Sequence, residues 1–209
     1  MITANPTPTG TFFWQQFTQW AIRFRFHEIQ VIGHAEVALD RSVLMVGNHI
    51  SWWDGFWALE VNRRLWRKQF HVMMLEEQLV QRTFLRQAGA FSIQPGSRDM
   101  VHSMNYAKEL LQQPDNLVLM FPQGKIHSQH QHDISFQSGT EKLLRHLQPS
   151  PQVIFFAAFL DYFSNPKPTL YYHLGDWDIA EVDKAIPLEA AYQAHYEEAL
   201  AMRASHINP

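Results

Sequence analysis

No cysteine occurs in the 209 residues, which excludes disulfides, thiolate zinc sites and a cysteine nucleophile, and leaves the redox compartment open. An excess of positive charge is also missing: the formal net charge is −3 with 12 histidines counted neutral. The basic field of a nucleic-acid binder is therefore lacking, and no nucleic-acid partner is expected. No apolar run approaches the ~20 residues of a spanning helix, and no basic start followed by an uninterrupted apolar stretch opens the chain. The protein is expected to be neither secreted nor transmembrane. Internal repeats and low-complexity segments are absent from the sequence. Aromatic residues, in contrast, are plentiful at 13%, with seven tryptophans. Such rings suit an apolar ligand or an interface, although a large core uses them as well.

The length fits one domain. Residues 1–10, with Pro6, Pro8 and Gly10, read as a flexible lead-in, and 11–209 as a single domain. Phe12, Phe13, Phe17, Trp20, Ala21 and Phe24 recur at helical spacing, with Arg23 and Arg25 near the end, which predicts an amphipathic helix over 11–26. Two destinations stay open for its rings: the domain core, or a lipid interface with the arginines on phosphates. Apolar segments at 43–46, 70–75, 90–94, 117–121, 153–160 and 169–174 read as strands, and 28–39 as a strand or bent hairpin. Between them fall helices from Ser51, over 76–88 and 98–112, to about Leu147, and from Ile186 or Pro187 to about Ser205. Ser51 and Ser97 are the expected N-caps and Gly89 the expected stop. The alternation predicts an α/β domain with a mixed, largely parallel sheet flanked by helices, whose strand C-termini form the ligand edge. Arg63–Lys68, the densest basic run, reads as a solvated helix end, or as a surface for anionic lipid or the phosphates of an acyl carrier.

The strand at 43–46 ends at Gly47-Asn48, so His49 lies just beyond it, and Asp54 follows in the first turn of the next helix. The two side chains can touch there. A carboxylate that fixes one ring nitrogen leaves the other free to take a proton from a hydroxyl, as in a general base with its orienter. The pair also reads as a satisfied loop histidine and a helix-dipole carboxylate. At the end of 117–121, the turn Phe121-Pro122-Gln123-Gly124-Lys125 would let backbone N–H groups approach an oxyanion or a phosphate. His127, His130 and His132 lack the regular spacing of a helical metal site, and no metal is expected.

Asn48-His49-Ile-Ser-Trp-Trp-Asp54, Gly89-Ala-Phe-Ser-Ile93 up to Arg98, Phe121-Pro122-Gln123-Gly124 and Phe136-Gln-Ser-Gly139 follow one another in order. Together they resemble the four motifs of the glycerolipid acyltransferases, the lysophosphatidic acid acyltransferase-like family, over residues ~43–160. The resemblance implies that family's fold and the transfer of a fatty acyl group from acyl-CoA or acyl carrier protein to a hydroxyl or amine of a lipid acceptor. It implies no cofactor beyond that co-substrate, and a cytoplasmic protein held peripherally on the inner face of a membrane. His49 becomes the base and Asp54 its orienter, with Asn48, Arg98, Phe121, Pro122, Gln123, Gly124 and Lys125 binding substrate. A thioester or lipid hydrolase using the same pair, and a catalytically silent lipid-binding module, are the alternatives; retention of both His49 and Asp54 speaks against silence.

The departures from the family pattern bear on substrate. Pro95 and Ile126 stand where the resemblance calls for arginine, Gln123 replaces a glutamate, and Val153–Ala158 lacks the usual proline of the fourth motif. A guanidinium is the natural bidentate partner of phosphate. With that clamp largely missing, an acceptor whose head is not a phosphate monoester is expected.

Overall fold

Strand β2 (Val43–Gly47) is buried along its whole length and lies fourth in a sheet of seven, which is why its sequence is a continuous apolar run without alternation. The computed structural model describes residues 1–177 and 186–204. The other strands are β1 (Ile29–Ile32), β3 (Gln69–Leu75), β4 (Ala90–Ile93), β5 (Asn116–Met120), β6 (Gln152–Asp161) and β7 (Thr169–Trp177). They lie in the order β1-β7-β6-β2-β5-β3-β4. All neighbours are parallel except β6 and β7, which pair antiparallel from Val153↔Trp177 to Asp161↔Thr169. The sheet is thus mixed and mostly parallel in a single α/β domain.

Helices α1 (Pro8–Arg25) and α2 (Asp54–Leu65) cover one face, packing Trp14, Ile22, Phe56 and Trp57 on Val43, Met45, Leu117 and Leu119. The other face carries α4 (Asp99–Leu111), α5 (Gly139–Arg145) and α6 (Leu188–Ala204), with Ala107, Leu143, Leu144 and Tyr192 on Leu44, Val46 and Val118. The chain therefore leaves β2 toward one face and β5 toward the other. Adjacent parallel strands with connections of opposite sense open a crevice at their carboxyl ends.

Several local expectations are corrected. Residues 1–7 lie along β4 and the segment before it instead of hanging free: Ile2 exchanges hydrogen bonds with Ser92, and Asn5 N donates to Arg86 O (3.0 Å). α1 begins at Pro8, earlier than Thr11, because Thr7 caps it through Gly10 N (3.1 Å) and proline suits the first turn. Its core face is the narrow stripe Trp14, Thr18, Ala21 and Ile22, whereas Phe12, Trp20 and Phe24 are 63%, 64% and 63% exposed. Trp14 packs against Phe56 of α2 from this stripe, whereas the rings that recur in the sequence lie mostly on the other side of the helix.

The helix expected over 76–88 is split into α3 (Glu76–Val80) and a 3-10 segment Thr83–Ala88, broken at Arg82, which leaves Val80 and Phe84 exposed. Gly89 ends it in the left-handed conformation (φ 94°), where a Cβ would meet Phe70 O at 2.0 Å. Segment 28–39 gives only β1. Neither serine caps as expected: Ser51 Oγ accepts from Trp53 N ahead of α2, and Ser97 Oγ donates to Gln94 O. The last helix is described to Ala204; Ser205 lies outside the described residues.

Three cations of the basic run at the end of α2, Arg63, Arg64 and Lys68, make structural contacts. Arg63 and Arg64 both bind Glu60, at 2.8 and 2.7 Å. Burial pushes the Glu60 carboxyl up, and the two guanidiniums outweigh it and hold it below its ordinary value. Lys68 Nζ donates to the carbonyls of Ala38, Arg41 and Pro114. These residues sit where β3 begins, at the edge opposite the carboxyl-end crevice.

Candidate active site

His49 leaves the end of β2 at the crevice, and Asp54 opens α2 beneath it. Gly47 is required there because the Phe156 ring packs flat against it; a Cβ would lie 2.1 Å from that ring. One carboxylate oxygen, Asp54 Oδ2, accepts from His49 Nδ1 (2.7 Å), Ile50 N (2.8 Å) and Ser51 N (3.0 Å). The side chain of Asp54 is 0% exposed, and its Oδ1 has no hydrogen-bond partner among the described residues. Burial therefore pushes the Asp54 carboxyl above its ordinary value, opposed by the bonds from His49, Ser51 and Ile50. The His49 ring keeps 23% of its surface exposed and stacks on Phe121 at 4.2 Å. With Nδ1 committed to Asp54, Nε2 is the nitrogen left to act.

The residues expected to bind substrate divide into three groups. Asn48 is not free for it. Its side chain donates to Ala158 O (2.9 Å) and accepts from Ala158 N (2.8 Å), fastening the loop to β6. Gln123 is buried and accepts from His49 N (2.7 Å), so it holds the backbone at His49. Phe121, Pro122, Gly124 and Lys125 line the cavity described below, while Arg98 precedes α4 outside the lining. Gly124 N is already bonded to Phe121 O (3.0 Å). Among the described residues the amides of Gln123, Lys125 and Ile126 make no hydrogen bond, which leaves them as donors in the turn.

A cavity of about 600 Å³ opens beside His49, lined mostly by apolar side chains including Trp52, Phe56, Leu59, Met74 and Leu85. Pro95 and Ile126 line it too, so both positions at which a family arginine is missing border the cavity. Lys142, on the exposed side of α5, also lines it. Lys142 was not among the residues expected to bind substrate; it lies in α5, three residues beyond the Phe136-Gln-Ser-Gly139 motif. The turn after β5 is held from outside: the Gln129 side chain bonds Leu160 N and O, and Glu189 accepts from Phe136 N (2.6 Å).

The sequence model of the acyltransferase family matches residues 28–156, a span that contains β1 through β5 and both partners of the pair. The chain belongs to the acyltransferase family. Its fold is similar to that of the 1-acyl-sn-glycerophosphate (LPA) acyltransferase PlsC from Thermotoga maritima, with a TM-score of 0.65 over 95% of this chain and 81% of that one. Sequence identity in that comparison is 14%, so the likeness establishes a shared fold. No curated protein matches the acyltransferase chain. Among its described residues no helix is long and apolar enough to cross a membrane.

Proposed function

We propose that this acyltransferase moves a fatty acyl group from an acyl thioester, acyl-CoA or acyl carrier protein, to a hydroxyl or amine of a lipid acceptor at a membrane surface. The observation that carries this reading is a buried carboxylate holding His49 by Nδ1 at the mouth of a large apolar cavity. His49 Nε2 takes the proton as the acceptor oxygen attacks the thioester carbonyl carbon. The Asp54 carboxylate stabilises the imidazolium, and amides such as those of Lys125 and Ile126 face the tetrahedral oxyanion. As the C–S bond breaks, the imidazolium returns its proton to the leaving thiolate. Base catalysis of this kind contributes about 10²–10⁴-fold.

Exposed rings support the membrane-surface reading. Phe24 stacks on Trp20, Trp20 lies 6.5 Å from Phe17, Phe17 packs on Phe56, and Phe56 lines the cavity next to the half-exposed Trp52. These rings lead from the exposed face of α1 toward the cavity, as suits an apolar chain entering from a lipid interface. The departures from the family pattern fall where that pattern would hold the acceptor's head. With Pro95 and Ile126 at the cavity and Arg98 outside its lining, lysophosphatidate lacks its bidentate partners, each lost donor costing about 1–3 kcal/mol.

The test is thiol release from acyl-CoA by the purified protein, alone and with glycolipid, amino-lipid, alcohol and lysophosphatidate acceptors. Product is identified by mass spectrometry. Acylated product with a non-phosphate acceptor is expected. Thiol release unaffected by any acceptor would favour the hydrolase, and lysophosphatidate as the preferred acceptor would refute the head-group assignment.

A further inference from the structure

A cavity lined from both faces of one sheet needs a gap in that sheet, and the strand register locates it. Pairing of β3 with β5 ends at Val72↔Leu119. Yet β3 continues beside β4 to Leu75↔Ile93, and β5 continues beside β2 to Met120. Beyond Val72 the two strands share no ladder, and Met73, Met74, Met120 and Phe121 line the opening between them. Side-chain alternation sends Phe70, Val72 and Met74 toward the layer of α1 and α2, and Met73 and Met120 toward the layer of α4 and α5. The cavity follows both directions. One branch runs between α2 and the 3-10 segment past Phe56, Leu59 and Leu85; the other runs beneath α4 past Met100, Met104 and Thr140. His49 and Phe121 border the same cavity at the carboxyl ends of β2 and β5, where the branches meet.

We propose that the branch beneath α4 is a binding site for a second apolar chain, that of the acceptor. The two chains brought together in the reaction then lie on opposite faces of the sheet, with the reacting atoms at the gap beside His49. This rests on the acyl-transfer reading and specifies the acceptor as a single-chain amphiphile held inside the protein. Hydrolysis, or transfer to a short polar acceptor, would employ one apolar branch; the second has no role in either. Its lining suits a chain of variable length. Met73, Met100, Met104 and Met120 are unbranched and adapt to an irregular occupant, as β-branched residues cannot. The Thr140 hydroxyl is turned to Met120 Sδ (3.9 Å), so that residue adds little polarity. The charged groups in the lining, Lys125 and Lys142, are exposed, which leaves them to the head group.

Gly139 gives direct access to the branch. A Cβ built there meets Met104 Cε at 3.7 Å and Sδ at 3.9 Å, ordinary contact. Gly139→Leu therefore grows a side chain into the branch without backbone strain, and Met104→Ala enlarges it. The assay offers acyl-CoA donors of short to long chain, crossed with 1-alkanol and monoacylglycerol acceptors of short to long chain. Gly139→Leu is expected to lower kcat/KM for long acceptors by about fourfold per methylene excluded, with the donor-length profile retained. Met104→Ala is expected to shift the acceptor optimum toward longer chains, and it carries the test alone if Gly139→Leu fails to fold. An acceptor profile that neither variant alters, or a shift in the donor profile instead, overturns the second-chain site. A wild-type enzyme that releases thiol yet acylates none of these acceptors overturns the acyl-transfer reading itself.

Discussion

Exchange of Asp54 for asparagine separates charge from geometry in the proposed catalytic pair of His49 and Asp54. Asp54 Oδ2 accepts three hydrogen bonds, two of them from the fixed backbone donors Ile50 N and Ser51 N. An asparagine must place its carbonyl oxygen there, because the reversed amide would set donors against donors and forfeit about 1 kcal/mol or more for each bond. The imidazole then keeps its proton on Nδ1, and Nε2 stays available. What disappears is the negative charge facing the imidazolium. At a separation near 4 Å and an effective dielectric constant of 20, that interaction is at most ~4 kcal/mol, or about a thousandfold in rate.

Stability should move much less. The substitution relieves the burial of a charge but leaves an amide N–H where Asp54 Oδ1 now has no partner among the described residues, a penalty of ~1–3 kcal/mol that offsets the gain. Asp54→Asn is therefore expected to lose about 10²–10³-fold in kcat while its Tm stays within about 4 °C of wild type. His49→Ala should lose a similar factor, and the double variant little more than the worse single one, since the two residues act as a unit. A thiol-reactive dye suits the assay, because a chain without cysteine contributes no background. Near wild-type turnover by Asp54→Asn would refute the electrostatic role. Multiplicative losses in the double variant would refute the pairing.

Three further outcomes follow from particular residues. His71 is buried, which pulls its pKa down to about 4; it binds a proton more readily unfolded, so its stabilising contribution is complete above about pH 6.5 and falls away by roughly 3 kcal/mol as pH drops toward 4. Denaturant melts of His71→Leu at pH 7 and pH 4.5 should show a shallower acid loss than wild type, and equal losses would contradict the assignment. Leu59, Phe70 and Ala88 separate the main cavity from a smaller one of about 120 Å³ near Trp14; Phe70→Leu should extend the accepted donor chain at a stability cost of about 0.5–3 kcal/mol, checked by a donor-length series. Replacing the exposed Trp20 and Phe24 by glutamate should reduce sedimentation with liposomes and leave Tm unchanged within about 2 °C; a large fall in Tm would place those rings in the core.

Strand positions were readable in the sequence because burial on both faces writes itself as an apolar run, as in Val43–Val46 and Val153–Leu160. Helix ends were less readable. Ser51 and Ser97 have cap chemistry, but each hydroxyl is taken by a turn that precedes the helix, and no local pattern distinguishes the two uses. On α1 both destinations for the rings stayed open for a related reason: ring size does not tell a core face from an interface face, and Trp14 is buried while Phe12, Trp20 and Phe24 are exposed.

Within the site, His49 and Asp54 were legible because only four residues separate them, across a strand end and the start of a helix, so local geometry alone brings them together. The roles of Asn48 and Gln123 were not legible. They depend on partners far along the chain, Ala158 for Asn48 and the His49 backbone for Gln123, and spacing cannot report which side of a long-range contact a polar residue serves. The same holds for the gap between β3 and β5. Each strand reads as a sound apolar segment, and only their relative register shows that the ladder stops at Val72↔Leu119. A short mismatch of strand ends, with no unusual residue in it, opens the sheet to a cavity that reaches both faces, and under the proposed second-chain site acceptor preference would rest on positions such as Gly139 and Met104, away from His49 and Asp54.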